Sequence, residues 1–190
     1  MKIISHNTWS FLKPRRLIMR PFAWLARCQD KSDIDQYAIC DGFDLRVRFD
    51  EYGTPHFAHG LIEYQGDVDK TLDTLSIMCH KPFLVRVLLE TTPFMCKAEM
   101  EEQKSMFYFF CLHIQNAHPT ITFFGGWPRN EWGRKVYNFG DEPDYSEKHA
   151  SVSGNKLNIL NLKRWARENN KASIVNCEDE YIMLDFIEYR

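Results

Sequence analysis

Five short apolar runs, with helical or irregular segments between them, constrain this chain more than any other feature of its sequence. Lys2-Ile3-Ile4-Ser5 is strand-like and ends at His6. Phe43-Asp44-Leu45-Arg46-Val47-Arg48 alternates with period two, and Phe83 to Leu89 is almost continuously apolar. Ile121-Thr122-Phe123-Phe124 stops at Gly125-Gly126, and Tyr181 to Ile187 closes the chain. Short bounded runs of this kind read as strands, and continuous ones as strands buried on both faces. Between them, Asp67 to His80 places Val68, Leu72, Leu75 and Met78 at helical spacing with Asp67 as N-cap. Pro93 to Asn116 and Asn155 to Asn169 predict two further helices. Strands alternating with helices imply parallel strands and an α/β architecture. The 190 residues suffice for one core, so a single domain spanning 1–190 is expected. The Gly, Pro and Asp-rich stretch from Gly125 to Tyr145 reads as a long irregular loop.

The polar residues that punctuate these runs carry the chemistry. His6 falls where the first strand ends, and Asp44 and Arg46, two apart on a strand, share one face. Tyr52 to Gly60 then delivers His59 followed by glycine. In a parallel barrel the C-terminal strand ends gather on one face, where active sites lie. A neutral imidazole can take a proton from an attacking hydroxyl, a protonated one can supply a proton to the leaving oxygen, and a guanidinium neutralises phosphate oxygens. Two histidines and an arginine therefore suit cleavage of a phosphodiester by a neighbouring hydroxyl. His56, His80, His113, His118 and His149 lack such company and are read as structural or surface residues.

His6-Asn7-Thr8, Asp44-Leu45-Arg46-Val47, His59-Gly60 and the apolar strand ending at Glu90 resemble, in order and spacing, the X-domain signature of phosphatidylinositol-specific phospholipases C. The resemblance is clearest from Lys2 to Glu90, and Met183-Leu184-Asp185-Phe186 is similar to the closing strand of the same barrel. It implies a TIM-type (β/α) barrel, reduced because 190 residues fall below the usual size of that fold. It implies His6 as general base, His59 as general acid, Arg46 as the phosphate-holding residue, Asp185 as the carboxylate that orients His6, and Asp44 as a partner of a histidine or of Arg46. Asn7 and Glu90 would lie at the substrate. The implied reaction releases a cyclic inositol phosphate and a lipid alcohol.

Two departures bear on metal use. Metal-free members carry aspartate where this chain has Asn7, and calcium-dependent members carry acidic residues at both the Asp44 and the Arg46 positions. Arg46 would put its own positive charge where the metal sits, so no cofactor is expected; were Ca²⁺ used, Asn7, Asp44 and Glu90 are the oxygen ligands. Competing readings are a metal-dependent glycerophosphodiesterase-like or sphingomyelinase D-like enzyme, and a non-catalytic module for lipid head groups.

A formal net charge of -2 argues against general binding of nucleic acid. Local charge tells more: Lys2 to Arg27 holds six Lys or Arg residues, no acidic ones, and Trp9, Phe11, Leu17, Ile18, Phe22 and Trp24 among them. This segment either docks on a membrane interface or covers the barrel with an apolar face. No signal peptide and no apolar run of about 18 residues is visible, so a cytoplasmic protein, peripheral at most, is expected. Cys28, Cys40, Cys79, Cys96, Cys111 and Cys177 lack zinc-site spacing and are read as reduced thiols. Trp127 and Arg129 either reach the substrate or form a tight turn with a packed indole, and Tyr137 and Tyr145 are weaker candidates of the same kind.

Overall fold

A computed structural model describes residues 1–127, 138–148, 152–153 and 156–190. The strands are β1 (Lys2–Ser5), β2 (Gly42–Phe49), β3 (Pro55–His59), β4 (Ile62–Glu63), β5 (Phe83–Leu89), β6 (Ile121–Gly126), β7 (Asn138–Phe139), β8 (Tyr145–Lys148) and β9 (Tyr181–Leu184). The α-helices are α1 (Asp33–Tyr37), α2 (Val68–Met78), α3 (Lys97–Ala117) and α4 (Leu162–Val175). The main sheet runs β7-β6-β5-β2-β1-β9-β8. From β6 to β8 every neighbouring pair is parallel; β7 is antiparallel to β6. Among the described residues β7 and β8 do not pair, which leaves a reduced barrel wall.

The alternation along each strand sorts two layers. Phe43, Leu45 and Val47 of β2 and Val85 and Val87 of β5 point outward into the main core, beneath Leu72 and Leu75 of α2 and Phe107, Phe110 and Ile114 of α3. Ile4, Leu84, Phe124 and Met183 form a separate cluster on the inner side. Above it, Asp44 lies level with Arg86, and Arg46 level with Leu88. The inner face is thus apolar at one end and charged toward the C-terminal strand ends.

Asp67 does cap α2, its carboxylate accepting from the Lys70 N–H. Helix α3 begins later than the Pro93 expected, at a capping box in which the Cys96 N–H donates to Glu99 Oε2 at 2.7 Å. Helix α4 is displaced from the expected Asn155 to Asn169: a 3-10 stretch, Lys156–Asn161, comes first, and Asn161 caps the helix that follows. Strand β6 does not stop before its glycines. Gly125 stays in register with Val87 at φ +144°, where a Cβ would lie 1.9 Å from the Val87 carbonyl oxygen, so only glycine fits. The region read as an irregular loop from Gly125 to Tyr145 contributes β7 and the start of β8. All six cysteines are free thiols.

The basic aromatic segment divides its side chains. Leu17–Ala26 is a 3-10 helix, with Pro21 unable to supply the N–H of a regular α-helix. Met19, Ala23 and Ala26 pack on the main core. Leu17, Ile18, Phe22 and Trp24 are exposed by 69%, 77%, 53% and 58%, so the segment covers the barrel on one side and presents apolar groups on the other. Among the described residues, no helix is long and apolar enough to cross a membrane.

Candidate active site

Three parallel strand ends and one hairpin build the site. Strand β1 pairs with β2 only at Ile4↔Gly42 and Ser5↔Phe43, after which β3 takes over the same edge of β2 in antiparallel register, Val47↔Phe57. The sequence suggested that His59 stands at a strand end, and the structure adds that this strand is antiparallel and runs into a β3–β4 hairpin. It closes at Gly60, whose φ of +57° suits a residue without a side chain. His59 thereby stands over the end of β1, its ring centroid 6.4 Å from that of His6 with the planes at 81°.

His6 is held from both sides. Its Nδ1 lies 2.7 Å from Asp185 Oδ1, and its Nε2 lies 2.7 Å from Arg46 Nη2. A guanidinium only donates, so Nε2 accepts and Nδ1 carries the proton that Asp185 receives. Strand β9 ends at Leu184 rather than continuing to Ile187 as the sequence suggested, and this frees Asp185 from the ladder to face His6. The residues after both partners, Asn7 and Phe186, have φ of 45°. For phenylalanine this is an uncommon conformation, and such backbone persists only where surrounding bonds hold it. Here the Phe186 N–H donates to the Cys28 carbonyl at 2.7 Å, and Asn170 Nδ2 donates to the Asp185 carbonyl at 2.8 Å.

Arg46 is fixed by two carboxylates. Its Nε donates to Asp44 Oδ2 at 3.0 Å and its Nη1 to Glu90 Oε2 at 3.4 Å. Asp44 also accepts the Asn7 backbone N–H at 2.9 Å and lies 3.5 Å from Arg86 Nε at its other oxygen. Burial would raise the Asp44 carboxyl, but Arg46, Arg86 and His6 outweigh it and hold the pKa well below the carboxylate range. Burial likewise opposes the charge of Arg46, and Asp44 and Glu90 more than restore it. Glu90 Oε1 accepts the Gly60 N–H at 2.8 Å, so one carboxylate ties the guanidinium to the hairpin that carries His59.

His59 donates Nδ1–H to the Ala26 carbonyl at 3.0 Å, which leaves Nε2 to carry a transferable proton. Burial lowers its pKa and the nearby Arg46 charge lowers it further, against upward contributions from Glu90, the Ala26 carbonyl and Asp185. A cavity of about 680 Å³ adjoins both histidines, walled by Met19, Phe22, Leu25, Leu61, Ile62 and Leu162.

The structure thus brings together His6, Asn7, Asp44, Arg46, His59, Glu90 and Asp185. The Asn7 side chain reaches toward Cys28, with Nδ2 to Sγ at 4.0 Å. Trp127 is placed elsewhere: its ring packs against Phe107 of α3 at 6.4 Å, the packed-indole alternative. Tyr145 lies inside the wall beside Phe124 and the Arg86 guanidinium, at the opposite end of the strands, and burial pushes its pKa up to about 12. Arg129, Tyr137 and His149 lie outside the described residues.

Several neighbours had no signal in the sequence. Gln29, fully buried, donates Nε2 to the carbonyls of His6 and Leu184 at 3.1 and 3.0 Å and accepts the Ile187 N–H at 3.2 Å. It stitches the ends of β1 and β9 together. Arg86 links Asp44 to Glu147 of β8, 2.7 Å away. Cys28 borders His6 and Asp185 in the cavity wall, and its thiol is held far above its usual pKa by burial and by Asp185. A glutamine, an arginine within an apolar run and a lone cysteine look ordinary until the chain is folded.

No protein-family model matches the sequence, and no curated protein matches it. Solved structures do. A phosphatidylinositol-specific phospholipase C from Staphylococcus aureus superposes with a TM-score of 0.59 at 14% identity, over 97% of this chain and 85% of that one. A double mutant of the S. aureus enzyme gives 0.60 at 12% identity, over 97% and 84%. The phosphatidylinositol-specific phospholipase C from Listeria monocytogenes gives 0.56 at 10% identity, over 100% and 92%. At these identities the likeness is one of fold: the chain adopts the α/β barrel of the bacterial phosphatidylinositol-specific phospholipases C in reduced form.

Proposed function

We propose that the protein is a metal-independent phosphodiesterase that cleaves an inositol phospholipid through a cyclic phosphate. The observation that carries this reading is the placement of His6 and His59 6.4 Å apart around the Arg46 guanidinium, which two carboxylates hold in position. His6 Nε2 takes the proton of a hydroxyl adjacent to the phosphate, and that oxygen attacks phosphorus. The bond from phosphorus to the lipid oxygen breaks, and His59 Nε2 gives its proton to the departing alcohol. Asp185 keeps His6 in the required tautomer and balances the charge that develops on it. Arg46 exchanges its contact with His6 for the phosphate oxygens, whose charge grows in the transition state.

Metal independence is supported by the position of Arg46 between Asp44 and Glu90, two of the three oxygen ligands a Ca²⁺ would need. A lipid leaving group is supported by the apolar cavity on the His59 side. Peripheral membrane contact is supported by the exposed Leu17, Ile18, Phe22 and Trp24 beside Arg15, Arg16 and Arg20.

Turnover of phosphatidylinositol vesicles with and without chelator tests the reading, comparing wild type with His6→Ala, His59→Ala and Arg46→Ala. Cyclic inositol phosphate formed in chelator and lost in the three variants is the expected result. Strict dependence on Mg²⁺ or Ca²⁺ would point to the metal-dependent relatives of this barrel, and vesicle binding without turnover to a head-group binding module.

A further inference from the structure

Beside the phosphate site lies a second set of donors that the proposed chemistry uses only in part. His6, Cys28 and Asp185 are buried, and one ligand-capable atom from each falls within 4.8 Å of the others. All three line the apolar cavity, so the set has an entry path from solvent. The ligands of a tetrahedral zinc ion, at its usual bond lengths, lie roughly 3.3–3.7 Å from one another. His6 Nδ1 and Asp185 Oδ1 stand 2.7 Å apart and would open by about 0.6–1.0 Å to share an ion, while the remaining pairs, no farther apart than 4.8 Å, would close by about 1 Å.

We propose that His6, Cys28 and Asp185 form a reversible, inhibitory site for a thiophilic divalent cation of the zinc type. The imidazole, thiolate and carboxylate supply three ligands, and the fourth position opens on the cavity. On binding, the thiol proton of Cys28 leaves to solvent. The imidazole loses its Nδ1 proton to solvent and takes one from solvent at Nε2, so that the ring stays neutral and Nδ1 becomes the ligand. An ion of charge +2 with one thiolate, one carboxylate and one neutral imidazole makes a neutral unit, which suits a buried position. Thiolate ligation selects zinc, cadmium or cobalt over magnesium and calcium.

The consequence for His6 is specific. Nε2 now bears a proton that faces Arg46 Nη2, which stands 2.7 Å away and can only donate. His6 loses its capacity as a base, and Arg46 is driven from its place. The chain would therefore be stopped by a metal although its proposed reaction needs none. This functional consequence rests on the reading in the preceding section; the metal site itself does not.

The binding arm uses Co²⁺ and Cd²⁺ as probes, in a Cys79→Ser, Cys96→Ser, Cys177→Ser background that removes the more accessible thiols. A thiolate-to-metal charge-transfer band saturating at one equivalent is expected. Cys28→Ser and Cys28→Ala, either of which suffices should the other fold poorly, should abolish the band and weaken binding at least tenfold, and His6→Gln should weaken it comparably. No band in the background protein, or an unchanged band in the Cys28 variants, overturns the proposal. In the activity arm, Zn²⁺ should inhibit phosphatidylinositol turnover reversibly, and the turnover that Cys28→Ala retains, whatever its basal level, should resist Zn²⁺ at least tenfold better than that of wild type. Equal Zn²⁺ sensitivity in Cys28→Ala overturns the inhibitory role. If no turnover is found with any protein, the enzymatic reading fails and the absorption band alone decides the metal site.

Discussion

His6 Nδ1 and Asp185 Oδ1 meet at 2.7 Å although the two residues stand 179 positions apart in the chain. The contact exists because β1 and β9 are parallel neighbours whose last paired residues are Ser5 and Leu184, so each residue that follows stands at the same level. Asp185→Asn keeps the shape and removes the charge. We expect kcat on phosphatidylinositol to fall on the order of 10²–10⁴-fold with little change in thermal midpoint, since the imidazole loses both its tautomer and its counter-charge. An unchanged kcat would show that Asp185 does not act through His6.

Arg46 serves Asp44, Glu90 and His6 from three nitrogens at once. Lysine has one, so Arg46→Lys keeps the charge and loses the geometry. Turnover should fall by about 10² or more, and urea denaturation should show a loss of roughly 1–3 kcal/mol because buried Asp44 keeps fewer partners. A variant with wild-type kinetics would remove Arg46 from the phosphate site.

The depressed pKa of His59 has a sign that can be read in two ways. In its proposed role as proton donor it must be charged, so the alkaline limb of kcat/KM should lie below the usual 6.5 of histidine, and that of kcat higher, because a bound phosphate favours the imidazolium. For stability, the folded protein binds the proton less readily than the unfolded chain. This contribution is complete above pH 6.5 and is lost as pH falls through the folded pKa. His59→Gln should therefore flatten the acid side of a stability profile; a profile identical to wild type would contradict the shift.

Gln29 ties three backbone groups at the ends of β1 and β9. Gln29→Ala leaves them buried without those bonds, and a loss of about 2–4 kcal/mol is expected from chemical denaturation. Turnover should fall as well, since the same bonds align His6 with Asp185. Stability within a few tenths of a kcal/mol of wild type would mean that water or relaxation replaces the glutamine fully.

Ile18 and Trp24 are exposed on the basic segment, by 77% and 58%. Replacing both with alanine should weaken sedimentation with anionic vesicles several-fold and leave cleavage of a soluble, short-chain substrate unchanged. Added salt should weaken vesicle binding of both proteins, because Arg15, Arg16 and Arg20 contribute by charge. Equal loss on soluble and vesicle substrates would place these side chains in the catalytic cavity instead.

Much of this arrangement is written locally. Period-two alternation located β2 and placed Asp44 and Arg46 on one face, a continuous apolar run located β5, and Asp67 announced the start of α2. His6, His59 and Glu90 were legible because they stand at the ends of such runs, and Asp44 and Arg46 because they interrupt the apolar alternation of β2 on one face. Boundaries were less so: Asn161 rather than Asn155 governs the start of α4, and β9 stops short of its apolar tail. Helix caps and strand ends depend on which neighbour supplies a hydrogen bond.

What the sequence determined by itself is a set of strands and helices and the side of each strand on which its polar residues project, since backbone sterics and side-chain periodicity act over a few residues. Only the tertiary structure decided which strand ends meet. The β3–β4 hairpin over β1 sets the distance from His59 to His6, Glu90 ties that hairpin to Arg46, Gln29 bonds the Leu184 carbonyl at the far end of the chain, and Cys28 comes to border the Asp185 carboxylate. Those relations follow from register and packing across the whole chain, which no local pattern encodes.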